Sequence, residues 1–255
     1  MKRTIRCLLF VITGFISPSL SAQDIYISAY QGAVQTSNVV VGNILREDVV
    51  NEELESRTHN RGKQANIFAA LPPAKPSSVP VKIRSGNFTP DPAVTQKVNA
   101  TFIAQIAKAS PDKKNEIAKI VNGGALQQEA SRRLTNLGLN INNIVDVTVT
   151  YYTLMWQIIN GKAATDKQII AGYNQLAPGL SASTFLNGMS DRQKQEVSGN
   201  MVLVAMFAMT TYQGLAQRHD TRNLQRLQKG INDMLLQQQI DLSSVHLTDA
   251  GWVKK

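Results

Sequence analysis

The chain has 255 residues, 43% of them apolar and 6% aromatic, with a formal net charge of +9. That is enough for one well-buried core, or a core with an appendage. One cysteine, Cys7, and three histidines, His59, His219 and His246, exclude an intrachain disulfide framework and leave little from which to build a metal site.

The chain opens MKRTIRCLLFVITGFISPSLSAQD, with Lys2, Arg3 and Arg6 ahead of an apolar run from Cys7 to Ile16, then Pro18 and small residues up to Ala22. This is the three-part layout of a secretory signal peptide, predicted to occupy residues 1–22. The apolar run is shorter than the roughly 20 residues that span a bilayer. Removing residues 1–22 leaves a chain without a thiol, so disulfides, thiolate nucleophiles and cysteine metal sites are excluded together. The net charge then falls from +9 to +6 with the loss of three basic residues. A cysteine-free chain is compatible with an oxidising compartment, and the expectation is a periplasmic or secreted protein. Moderate positive charge suits either an anionic surface or plain solubility.

Residues 23–87 read as an N-terminal arm, largely irregular. Within it, 46-REDVVNEELESRTHNRGKQAN-66 is highly polar, and 72-PPAKPSSVP-80 holds four of the nine prolines. Proline fixes the backbone torsion and offers no amide proton, so the latter should be extended, without a fold of its own. Two readings of the arm stand: it is disordered, or it lies through Ile25, Tyr26, Ile67 and Phe68 against a domain at 88–255.

From Phe88 onward, helix signals recur. Asp91 before Pro92 is a capping start, and Val94, Val98, Phe102 and Ile106 share one face. Ser110-Pro111-Asp112 repeats that start and Asn122-Gly123-Gly124 stops it. A third helix runs from Ala125 to Leu137, closed by Gly138, with Leu126, Ala130, Leu134 and Leu137 inward.

The stretch 144-IVDVTVTYYTLMWQII-159 alternates like a strand in its first half and fits a helix in its second. Its boundaries decide for a helix over 142–160: Asn140 or Asn142 caps the start, and Gly161 suits the end. Asp146, Thr150, Thr153 and Gln157 then form one narrow polar stripe, whereas a strand would scatter them over both faces. Val145, Val147 and Val149 favour strand locally, so tertiary packing must overrule them.

Thr165 with Gln168, and Ser190 with Gln193, match the reciprocal capping box. The first opens a helix that Pro178-Gly179 is expected to close. The second opens a long helix to about Arg218, centred on the apolar 201-MVLVAMFAM-209. Asp220 or Thr221 starts a last helix with Leu224, Leu227, Ile231, Met234 and Leu235 on one face, followed by an irregular tail whose Leu242, Val245, Leu247 and Trp252 fold back. The fold class is therefore all-α: a bundle of about six to eight helices, centred on the pair 142–160 and 191–218.

Chemical signatures are scarce. No HExxH, GxSxG, GxGxxG or phosphate-binding loop occurs, so neither a metal nor a cofactor is expected. A glycosidase needs only two carboxylates, and Glu129, Asp146 and Glu196 are the candidates, although all three lie near helix beginnings where acids are stabilised anyway. Asp146 is the sole acid of an apolar helix and demands a partner, for which an arginine is expected. Tyr151, Tyr152 and Trp156 form a cluster that either lines a ligand cavity or fills the core. Arg218, Arg222, Arg226 and Lys229 are predicted to share one helical face, a surface for an anionic partner or simply a solvated one. No aromatic residues interleave it, which disfavours nucleic acid.

Three segments, 88-FTPDPAVTQKV-98, 142-NNIVDVTVTYYTLMWQIINGKA-163 and 242-LSSVHLTDAGW-252, resemble a family of uncharacterised exported bacterial proteins known only as a domain of unknown function. The resemblance covers about 88–255 and implies a helical domain in a Gram-negative envelope or secreted setting, with no catalytic residues to carry over. The expectation from sequence is a non-enzymatic module that binds another envelope protein, an anionic surface or a small apolar ligand. A peptidoglycan-directed glycosidase is the alternative.

Overall fold

The computed structural model describes Phe68 and residues 71–73, 75–109, 111–238 and 240–255. The expected signal peptide, Ile25, Tyr26, His59 and Ile67 lie outside the described residues. Among the described residues eight α-helices follow one another: α1 (Pro92–Ala109), α2 (Lys114–Asn122), α3 (Ala125–Asn136), α4 (Ile144–Asn160), α5 (Asp166–Ala182), α6 (Thr184–Gly188), α7 (Asp191–Gln217) and α8 (Thr221–Gln237). The chain then forms a hairpin of β1 (Val245–Thr248) and β2 (Gly251–Lys254). The fold is mainly helical, as its periodicity requires.

Local chemistry sets most boundaries. The Asp91 carboxylate accepts from the Ala93 N–H at 2.8 Å, so α1 starts with Pro92 at a position that has no use for an amide proton. A short 3-10 turn, Pro111–Lys113, precedes α2, and Gly124 at φ 74° separates α2 from α3. Both predicted capping boxes are present, at Thr165/Gln168 and Ser190/Gln193. The Asp220 carboxylate caps α8 by accepting from the Asn223 N–H.

Helix α4 packs along α7, and this pair is the centre of the core. Val145, Val147 and Val149 are all at most 2% exposed, which is how their strand preference is overruled. Each such side chain contributes about 1.5–3 kcal/mol on burial, more than the local propensity withholds. Met201, Leu203 and Ala208 of α7 are equally enclosed. The cap of α4 is Asn143, rather than Asn140 or Asn142. Its side-chain oxygen accepts from the N–H of Val145 (2.9 Å) and of Asp146 (3.3 Å), while its amide donates to the Ile83 carbonyl and the Asn87 side chain. Nearby, the Ile144 N–H donates to the Gly86 carbonyl and the Phe88 N–H to the Asn142 carbonyl.

Two further expectations are corrected. Helix α5 does not stop at Pro178-Gly179 but runs on to Ala182. Both residues face solvent, where a missing amide bond is tolerated, while Ala177 and Leu180 are buried and hold the last turn in place. The tail is not irregular either. Its two four-residue strands pair antiparallel, Val245 with Lys254 through Thr248 with Gly251. A two-stranded hairpin is marginal alone. Here Val245, Leu247 and Trp252 are buried, and both strands lie against α5.

Candidate functional site

Asp146 sits in the first turn of α4 and is 6% exposed. Its partner is not an arginine: the Tyr173 hydroxyl of α5 donates to one carboxylate oxygen at 2.7 Å, and the Asn140 N–H donates to the other at 2.8 Å. Burial raises the carboxyl above its ordinary value, and the bonds from Tyr173 and Asn140 offset only part of that rise. The Tyr173 hydroxyl is raised in turn by its own burial and by the acid it serves. A neutral donor suffices because a tyrosine proton satisfies a lone pair without bringing a second charge to be desolvated.

The other two candidate acids have basic partners. The Glu129 carboxylate accepts from Arg132 at 2.8 Å and Arg133 at 2.7 Å. Partial burial raises it, and the two guanidinium groups overcome this to leave it below the ordinary range. Glu196 of α7 accepts from Lys97 of α1 at 2.7 Å and from Arg192 at 3.2 Å, and the Lys97 bond is the chief reason that its carboxyl is lowered.

Tyr151, Tyr152 and Trp156 are at most 3% exposed. Tyr151 borders a crevice of ≈ 20 Å³, with Leu134, Val147, Thr150, Met201 and Met206 among its other walls, so it has room for about one water molecule. The Trp156 indole donates to the Val245 carbonyl at 3.0 Å and ties α4 to the hairpin. The Tyr152 hydroxyl is buried with no hydrogen-bond partner among the described residues. Burial, reinforced by the neighbouring Tyr151, holds its ionisation well above the ordinary range.

The predicted basic face is divided between two helices. Arg218 caps the end of α7, His219 turns the chain at φ 55°, and Arg222, Arg226 and Lys229 follow on the exposed side of α8, where Lys229 pairs with Asp233. The helix break between Arg218 and Asp220 lies where the sequence places it, so the four basic residues do not continue one helix. Among the described residues no group of three or more His, Cys, Asp or Glu is placed to hold a metal ion. No described helix is long and apolar enough to cross a membrane.

The sequence reading missed the face formed by α5 and the hairpin. Gly172 lets Trp252 lie directly on the helix: a Cβ there would stand 2.7 Å from its indole nitrogen and 2.8 Å from Leu247 Cδ1. Gln175, 6% exposed, accepts from the Trp252 N–H at 2.6 Å and donates to the Trp252 carbonyl at 3.1 Å and the Pro72 carbonyl at 2.7 Å. Its neighbour Asn174 donates to the Val79 carbonyl at 2.8 Å and accepts from the Val81 N–H at 2.7 Å. Phe68, 1% exposed, packs edge-on against Trp252 and Tyr152, with ring centroids 5.1 and 6.2 Å away. The available signal was the Asn174-Gln175 pair in an otherwise apolar stretch, 170-IAGYNQLA-177.

The fold and these contacts define a helical protein whose proline-rich segment lies on the bundle. The chain belongs to a family described as a family of unknown function (DUF6683), whose model matches residues 9–253. The match thus reaches well upstream of the 88–255 span on which the resemblance rested, and takes in the arm. No curated protein and no solved structure matches the chain.

Proposed function

We propose that this protein is a non-catalytic interaction module, exported to the bacterial envelope. The observation that carries the first half is the employment of the acids. Glu129 and Glu196 are held by arginine and lysine, and Asp146 is buried under Tyr173. A glycosidase requires two carboxylates facing a substrate, one of them free to give up a proton. Asp146 and Glu196 instead join neighbouring elements, and Glu129 is held by two arginines of its own helix. Support for export comes from the basic and apolar layout of residues 1–22.

Two measurements test the reading. Purified mature chain incubated with peptidoglycan should release no soluble fragments above those released by the Glu129→Gln, Asp146→Asn and Glu196→Gln variants. Release lost in any of them would establish the glycosidase instead. Fractionation of expressing cells should place a chain beginning at Gln23 outside the cytoplasm, and retention of Met1 in the cytoplasmic fraction would overturn export.

A further inference from the structure

We propose that the face formed by α5 and the hairpin is a peptide-binding groove for extended, proline-containing segments with an aromatic anchor, and that the described residues of 68–81 are its resident intramolecular occupant. This deepens the interaction-module reading and rests on it.

The grip is on the backbone. Asn174 holds a carbonyl and an amide two residues apart, Val79 and Val81, and Gln175 holds the Pro72 carbonyl. The side chains at the first two positions contribute little, since Val79 is 70% exposed and Val81 41%. A groove that reads main chain in this way accepts any segment of the right extended shape. Proline supplies that shape with little ordering entropy and leaves its carbonyls bare.

Specificity is left to the anchor. Phe68 enters a socket whose walls include Trp252 and Tyr152, with Trp156 packed behind Trp252 at a centroid distance of 6.0 Å. The walls of the socket are held by contacts that do not involve the segment: Gly172 seats Trp252, and Gly251 at φ 113° brings the hairpin close enough for Gln175 to bind the Trp252 backbone twice. That leaves Gln175 oriented to donate to an incoming carbonyl, and preorganisation of this kind lowers the cost of binding. The resident segment has a fixed downstream end, because the Ile83 carbonyl is held by Asn143. Its occupancy is therefore intramolecular, with an effective concentration on the order of millimolar.

The two tryptophans of the chain are Trp156 and Trp252, so intrinsic emission reports on this socket. The experiment titrates the full mature chain with a tryptophan-free synthetic peptide, IFAALPPAKPSSVPVK, which copies residues 67–82. A Phe68→Ala chain, its fold checked by circular dichroism, should bind the peptide saturably. Binding should weaken at least ~10-fold when the peptide carries Phe68→Ala, as truncating a buried aromatic anchor does. It should weaken similarly when the chain also carries Asn174→Ala, and in the wild-type chain, whose own segment competes. If Phe68→Ala does not fold, Phe68→Leu vacates the ring with less loss of packing and should rank the peptides identically. No saturable change in emission, or equal binding of the two peptides, overturns the groove. Either result leaves the non-catalytic reading standing, because that is decided by the peptidoglycan assay.

Discussion

The Tyr173 hydroxyl donates to the Asp146 carboxylate at 2.7 Å and so joins α5 to the first turn of α4 through a buried neutral-to-acid bond. Loss of the carboxylate strands two donors at once, the tyrosine hydroxyl and the Asn140 N–H. Asp146→Ala should therefore destabilise the chain by about 2–4 kcal/mol, since an unsatisfied buried group costs about 1–3 kcal/mol. Urea unfolding followed by circular dichroism measures it, and a change under 0.5 kcal/mol would remove the pair's structural role.

Acid dependence separates the two partners. Burial holds the folded Asp146 carboxyl above its ordinary 3.8. Between the unfolded and folded values the folded state keeps the extra proton, so this group's contribution is fully present below 3.8 and declines as pH rises through the folded value. Asp146→Asn, which cannot ionise, should show its largest deficit in acid. Tyr173→Phe should behave oppositely, because the lost bond favours the charged carboxylate: a deficit of about 1 kcal/mol in acid growing to about 1.5–3 kcal/mol at neutral pH. Chemical denaturation of both variants across that pH range checks the crossing trend.

Gly86 faces the cap of α4 so closely that a Cβ there would stand 2.4 Å from Asn143 Oδ1 and 3.0 Å from Val145 Cγ2. Gly86→Ala must displace either the cap or the segment that it binds. The expected cost is about 2–3 kcal/mol, a lost cap plus a buried donor left unpaired. Asn143→Ala should cost a similar amount, and the double variant much less than the sum, because both remove one junction.

Gly172→Ala sets a methyl against the Trp252 indole nitrogen and Leu247 Cδ1. The hairpin must lift from α5, at a cost of about 1–3 kcal/mol for an overpacked contact. Tryptophan emission should shift to the red and acrylamide quenching should rise. An unchanged spectrum would contradict the packing.

Ser198 of α7 is 2% exposed and its hydroxyl has no hydrogen-bond partner among the described residues. Ser198→Ala removes an unsatisfied polar group from the core and places a better helix former there. It should raise stability by about 0.5–1.5 kcal/mol, seen as a higher Tm.

What was legible in the chain is local. The capping boxes at Thr165 and Ser190, the Asp91-Pro92 start and the Gly124 and Gly161 stops depend on neighbours within a few residues, so spacing alone reveals them. What was not legible depends on distant partners. Among the asparagines of 140-NINN-143, only the approach of Gly86 and Ile83 selects Asn143 as the cap. Tyr173 could not be matched to Asp146 without knowing that α5 folds back on α4. The hairpin escaped notice because four-residue strands joined at 248-TDAG-251 carry a weak pattern, and their stability comes from α5.

The Asn143 junction has one more consequence. Because Ile83, Gly86 and Asn87 complete the start of the central helix, a chain trimmed to begin at Phe88, the boundary that the helix signals suggest, would lack the groups that this cap binds. The proline-rich stretch just upstream belongs to the outer wall of the bundle, and a fragment begun before residue 83 should melt at a higher temperature than one begun at Phe88.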